Sequence, residues 1–205
     1  MKPEQHLSKA DPILAAVISR IQMPERKPDA NHFRALVESI VSQQLSVKAS
    51  DTIFKRFLEL FVNSGAIKST RSFPKPEQVL KMSEVKLRKA GLSASKIKYI
   101  KDLAQKIKNK EVALNKLKHM TDEEVITHLV QVKGIGRWTG EMFLMFSLER
   151  QDVFSHGDLG LRNAIKKLYK FKTQPTEKQI EKIIKLWSPH KTLASRYLWK
   201  SLNNE

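Results

Sequence analysis

The stretch VKGIGRWTG, residues 132–140, gathers groups that could hold an anion. Only seven glycines occur in 205 residues, and two of them, Gly134 and Gly136, bracket one isoleucine. A glycine-bracketed turn uncovers backbone N–H groups, and a helix opening just after it adds its own unpaired N–H groups. Together they form an amide pocket suited to phosphate. Lys133 and Arg137 flank that pocket with positive charge. On a DNA backbone such contacts position a protein without reading sequence. The plainer alternative is a helix–helix corner whose glycines only permit close packing. The second group of interest is Asp158, in VFSHGDLGLRNAIKKLY, after Gly157 and ahead of an amphipathic run. Taken alone, an aspartate there is a helix cap.

The elements that must position these groups read as helices. HFRALVESIVSQQLS places Phe33, Leu36, Val37, Ile40 and Val41 on one face, with Gln43 and Gln44 at its end. SASKIKYIKDLAQKIKN spaces Ile97, Ile100, Leu103 and Ile107 the same way, with Ser93 as its cap. Ser83 starts a shorter helix that Gly91 ends. Thr121 with Glu124, and Thr176 with Gln179, are capping boxes opening helices that run to Val130 and to Trp187. Ser188 followed by Pro189 predicts the cap and first residue of a last helix. Only DVF, 152–154, looks extended, and 63–78 is the most loop-like interior segment. The expected fold is all-α, with nine or ten helices in two lobes around a DNA-binding cleft. The whole chain, 1–205, is expected to form one such domain.

Charge narrows the partners. Lys and Arg number 38 against 21 acidic residues, a formal +17, which draws polyanions; nucleic acid is favoured over an anionic membrane surface. No apolar run approaches the roughly 20 residues that span a bilayer, and MKPEQHLSKADP has no apolar core for a secretory signal. With no cysteine, disulfides, thiolate zinc sites, thiol catalysis and cysteine-held iron–sulfur clusters are excluded. The six histidines, His6, His32, His119, His128, His156 and His190, lack ligand spacing. A transition metal is therefore not expected.

Helix, hairpin, helix, then a loop with glycine and a single aspartate: this order resembles the helix–hairpin–helix (HhH-GPD) DNA glycosylase superfamily, with the hairpin motif at about 121–147. ESIVSQQLSVKAS is similar to the family's early helix and loop, and AGLSASKIKYIKDLA to its middle helical turn. WSPHKTLASRYLW is similar to the C-terminal helix of the alkylated-base branch, DNA-3-methyladenine glycosylase II. The similarity spans roughly residues 10–202.

The resemblance implies that Asp158 is the catalytic carboxylate and that Trp138 and Trp199 line the base pocket. Met142, one turn after Trp138, falls on the pocket wall where some relatives carry an aromatic. That departure leaves base preference open. One of Gln43 and Gln44, with Gln44 preferred, would fill the gap left by an extruded base. Leu92 and Ser93 would meet the opposite strand. Lys133, Gly134, Gly136 and Arg137 would hold phosphate. The carbonyls of Val130, Val132 and Ile135 would suit a structural Na+ or K+, and no other cofactor is implied. Bifunctional relatives carry a lysine where Trp138 stands, so a monofunctional hydrolase that leaves an abasic site is expected. With so few residues ahead of Phe33, the N-terminal β-rich domain of larger bacterial relatives is not expected.

One carboxylate suffices if the leaving base is an alkylated purine that already carries positive charge. Glu141, Glu149 and Asp152 lie nearby in sequence, but nothing assigns them to the site. The expected partner is duplex DNA containing damaged bases. The protein is expected to be a monomer without a membrane role, cytoplasmic and nucleoid-associated in a bacterium or nuclear in a eukaryote. The rivals are a non-catalytic hairpin module that only grips DNA, and a glycosylase for oxidised or deaminated bases.

Overall fold

Capping decides where most helices begin. A computed structural model describes residues 1–24 and 30–202, and among these the regular structure is entirely helical. There are twelve α-helices: α1 Pro3–Ala10, α2 Pro12–Ile18, α3 His32–Ser42, α4 Val47–Asn63, α5 Pro76–Lys81, α6 Glu84–Lys89, α7 Ala94–Lys108, α8 Asp122–Leu129, α9 Arg137–Phe146, α10 Leu159–Leu168, α11 Glu177–Ile184 and α12 Lys191–Ser201. Two short 3-10 turns, Leu117–His119 and Lys185–Trp187, complete them.

The count exceeds the nine or ten expected, for local reasons. Asp11 accepts the N–H groups of Ile13 and Leu14, so it starts α2 immediately after α1 ends. Pro76 opens α5 inside the segment expected to be loop. The DVF segment is not a strand.

Two compact units emerge: Met1–Pro28 with Leu144–Glu205, and Asp29–Phe143. In the first, α2 packs on α1 and α12, and α10 packs on α12. Leu7, Leu14, Leu161, Ile165, Trp187 and Leu198 form its core. Asp11 is only 3% exposed there. Besides capping α2, it accepts the indole N–H of Trp187 at 2.8 Å and the hydroxyl of Tyr169. Four donors therefore compensate one buried carboxylate.

In the second unit, α7 packs against α3, α5 and α6. The face of α3 carrying Phe33, Leu36, Val37, Ile40 and Val41 is wholly buried, as its spacing predicts. Phe54 of α4 stacks on Phe57 and Phe73, and Phe57 meets Phe61 and Phe73 at tilted angles. The Thr121–Glu124 box opens α8, and the Thr176–Gln179 box opens α11 in the first unit.

The predicted start of the last helix is corrected. Ser188 is not the N-cap of α12; its hydroxyl donates to Asp152 Oδ2 at 2.8 Å, and the Ser188–Pro189 bond is cis. α12 begins two residues beyond Pro189, with His190 as its N-cap.

Candidate functional site

Each unit carries one of the features singled out in the sequence. In the unit Asp29–Phe143, α8 ends at a turn that leads into α9. Gly134 has φ +81°, and a Cβ there would stand 2.1 Å from Tyr99 Cδ2. Only glycine fits, on both conformational and packing grounds. Gly136 is different: its φ is not positive, and a Cβ would meet nothing within 4 Å. Both glycines are exposed, and neither amide makes a hydrogen bond among the described residues. The Ile135 N–H closes the turn onto Val132 O at 3.1 Å. The glycine amides, followed by the first turn of α9, supply the unspent donors that an anion needs.

The two flanking cations differ in their surroundings. Arg137 donates through both terminal nitrogens to Glu123, at 2.8 Å each, and through Nε to Glu141 at 3.1 Å. The Glu123 pairing lifts the Arg137 pKa above its ordinary value and lowers that of Glu123. Arg137 is thus a bidentate ion-pair partner of Glu123 in the DNA-free protein, beside the glycine turn that it was expected to flank. Lys133 gives its backbone N–H to Asp102 Oδ2 at 2.9 Å, while its ammonium, largely exposed, stands 4.0 Å from Asp102. So the Lys133 side chain faces solvent, but its amide is not part of the anion pocket.

The other residues of this unit sort clearly. Trp138, on the first turn of α9, is 47% exposed, a large indole left at the surface, and Met142 is half-buried. Gln43 ends α3, and its side-chain N–H donates to Gly134 O at 2.8 Å. Gln43 is therefore a clasp on the hairpin. Gln44 is exposed and holds φ +57°, a left-handed conformation in the turn between α3 and α4. Leu92 is 1% exposed. Its side chain belongs to the core of this unit in the DNA-free protein, on the turn after α6. Ser93 is exposed but accepts the Lys96 N–H as the cap of α7. Val130 caps the C-terminus of α8, whereas Val132 and Ile135 are buried.

In the unit Met1–Pro28 with Leu144–Glu205, Asp158 is 9% exposed and caps α10, its Oδ1 accepting the Leu161 N–H at 2.8 Å. The same oxygen accepts the indole N–H of Trp199 at 2.9 Å. The resemblance puts Trp199 on the wall of the base pocket; the structure adds that its indole aims its only donor at the carboxylate. The available signal was Gly160: a Cβ there would stand 3.1 Å from Asp158 Oδ1 and 3.2 Å from Trp199 Cδ1. The Trp199 ring also packs on Phe146 at a tilt, with centroids 5.9 Å apart. Two neighbouring carboxylates are accounted for structurally. Asp152 accepts from Ser188 and Lys191, and in the other unit Glu141 pairs with Arg137.

A carboxylate fixed by a helix N-terminus and an indole N–H is pre-aligned to face developing positive charge. An amide-lined hairpin grips a phosphodiester. Comparison with known proteins gives the class. The model of the HhH-GPD superfamily base excision DNA repair protein matches residues 37–189, and the chain belongs to that family.

Its relatives are specific. DNA-3-methyladenine glycosylase 1 of Schizosaccharomyces pombe is 35% identical over 208 residues, covering 98% of this chain and 86% of that protein. The solved structure of the S. pombe 3-methyladenine DNA glycosylase Mag1 in complex with abasic DNA superposes with a TM-score of 0.83 at 33% identity. It covers 99% of this chain and 97% of its own. A DNA-3-methyladenine glycosidase from Bacillus halodurans gives a TM-score of 0.81 at 35% identity, covering 100% and 90% of the two chains.

Proposed function

We propose that this protein is a DNA glycosylase that removes alkylated purines, of the 3-methyladenine and 7-methylguanine type, from duplex DNA. It hydrolyses the N-glycosidic bond and leaves an abasic site for base excision repair. The observation that carries the reading is Asp158, held by the Leu161 amide and the Trp199 indole in the loop that follows α9. The names of the similar proteins support the substrate class.

The damaged nucleotide must leave the stack for any side chain to reach its sugar. The amides of Gly134 and Gly136 with the first turn of α9 would hold the backbone, and exposed Gln44 would take the vacated space. The Trp138 indole would stack on the extruded base. As the C1′–N bond breaks, its electron pair leaves with the base and neutralises the positive charge that alkylation placed there. Positive charge accumulates on the sugar, and the Asp158 carboxylate stabilises it; such preorganised stabilisation is typically worth several kcal/mol. Water then adds at C1′ and Asp158 accepts its proton. Trp138 offers no amine, so the sugar is never held as a Schiff base and the strand stays intact.

The protein acts as a monomer on double-stranded DNA and needs no redox cofactor. The hairpin carbonyls of Val130, Val132 and Ile135 would suit a monovalent cation. Val132 O accepts one N–H, from Ile135, and a carbonyl has a second lone pair to offer.

One experiment tests the reading. Duplexes carrying 3-methyladenine, 7-methylguanine, 8-oxoguanine or uracil are incubated with the protein and assayed for free base and abasic sites. Release from the alkylated duplexes is expected. Release from only the oxidised or deaminated ones would reassign the substrate, and release from none would leave a DNA-gripping module.

A further inference from the structure

Three residues of α7 hold two turns that are far apart in sequence. Lys96 Nζ donates to the carbonyls of Val41 and Gln43, both at 2.8 Å, and so closes the end of α3. One turn on, the Tyr99 ring fills the space under Gly134 that any Cβ would need. Another turn on, Asp102 Oδ2 accepts the Lys133 N–H at 2.9 Å. The Gln43 side chain completes the link, donating to Gly134 O at 2.8 Å.

Residues recurring every three positions share one face of a helix. That face of α7 is thus a template with one attachment point for the Gln43–Gln44 turn and two for the hairpin. Its polar members are not there to fill a core. Lys96 spends its donors on main-chain carbonyls, and burial pulls its pKa below the ordinary value. A lysine ammonium carries three donors on a flexible stem, which suits two carbonyls at once.

We propose that Lys96, Tyr99 and Asp102 are positioning residues that set the spacing between the Gln43–Gln44 turn and the glycine hairpin. The side chain entering the helix and the amides gripping the strand then act on the same nucleotide. The inference rests on the glycosylase reading above. Its physical basis is that a displacement of about 1 Å at a reacting centre can cost about 100-fold in rate.

The test uses the full chain and the variants Lys96→Met, Lys96→Arg and Asp102→Ala. Three quantities are measured: base release in single turnover at saturating enzyme, affinity for an undamaged duplex, and amide hydrogen exchange in the DNA-free protein. Lys96→Met and Asp102→Ala should each slow saturated release at least about tenfold, while affinity for undamaged duplex stays within about threefold. Lys96→Arg should restore most of the rate.

In Lys96→Met, exchange should quicken at Leu45, whose N–H bonds Ser42 O, and also at Lys133 and Ile135, which Lys96 does not touch. Faster exchange confined to the Gln43–Leu45 turn would overturn the coupling. So would a parallel loss of release, affinity and melting temperature, which marks a purely structural role. If the unmodified protein releases no base at all, the activity reading fails, and the exchange measurement still decides the coupling.

Discussion

Trp199 gives its indole N–H to Oδ1 of Asp158, the oxygen that also caps α10. The two residues are 41 positions apart, and the absence of a side chain at Gly160 leaves room for the contact. One carboxylate oxygen is therefore fixed by two donors from different helices. A carboxylate held in this way keeps its orientation while charge builds opposite it.

Asp158→Asn should abolish base release while leaving DNA binding intact. Asparagine still caps a helix, so stability should change by less than about 1 kcal/mol. Free-base release and duplex affinity, measured on the same preparation, check this. Normal release would remove Asp158 from the catalytic role.

Trp199→Phe keeps the packing against Phe146 but removes the donor. Hydrogen bonds to charged groups are worth about 1.5–3 kcal/mol, so release should slow at least about tenfold. Gly160→Ala should act in the same direction, since its Cβ would crowd both Asp158 Oδ1 and the indole. Single-turnover rates for both variants test the link, and unchanged rates would reduce Trp199 to a packing residue.

The two hairpin glycines should respond differently to alanine. Gly134→Ala imposes a strained φ and a clash with the Tyr99 ring, and should cost at least about 2 kcal/mol. Gly136→Ala meets open space and should change stability by less than about 1 kcal/mol. It should nonetheless weaken duplex affinity, because its methyl group stands where a strand would approach the amide. Thermal melts paired with binding isotherms separate the two effects.

Alkaline stability should depend on Tyr169. Burial, then the hydrogen bond to Asp11, raises its pKa above the ordinary value. A phenol raised in the folded state contributes its full stability below the unfolded value of about 10, and loses it as pH climbs toward the folded value. Tyr169→Phe should therefore flatten the fall in stability above about pH 10. Asp11→Asn should destabilise at neutral pH by about 3 kcal/mol, since four donors lose a charged acceptor. Denaturant midpoints across the pH range report both.

Borohydride added during turnover should trap no covalent protein–DNA adduct, because the residue at position 138 has no amine. An adduct on gel analysis would contradict a purely hydrolytic route.

The helices and their caps could be read in the chain because their signals are local. Thr121 with Glu124, Thr176 with Gln179, Ser93 with Lys96 and Asp158 with Leu161 all act over three residues. The buried face of α3 follows from spacing alone. The glycine turn and its position before α9 were legible for the same reason.

Folding in three dimensions decided what those groups touch. Gln43 clasps Gly134 across 91 residues, Asp11 meets Trp187 across 176, and Ser188 turns to Asp152 across 36 in place of capping α12. Arg137 finds Glu123 in an ion pair, and Leu92 turns inward. Such partners satisfy buried or charged groups wherever the packed chain brings them, and no period of 3.6 residues encodes that encounter.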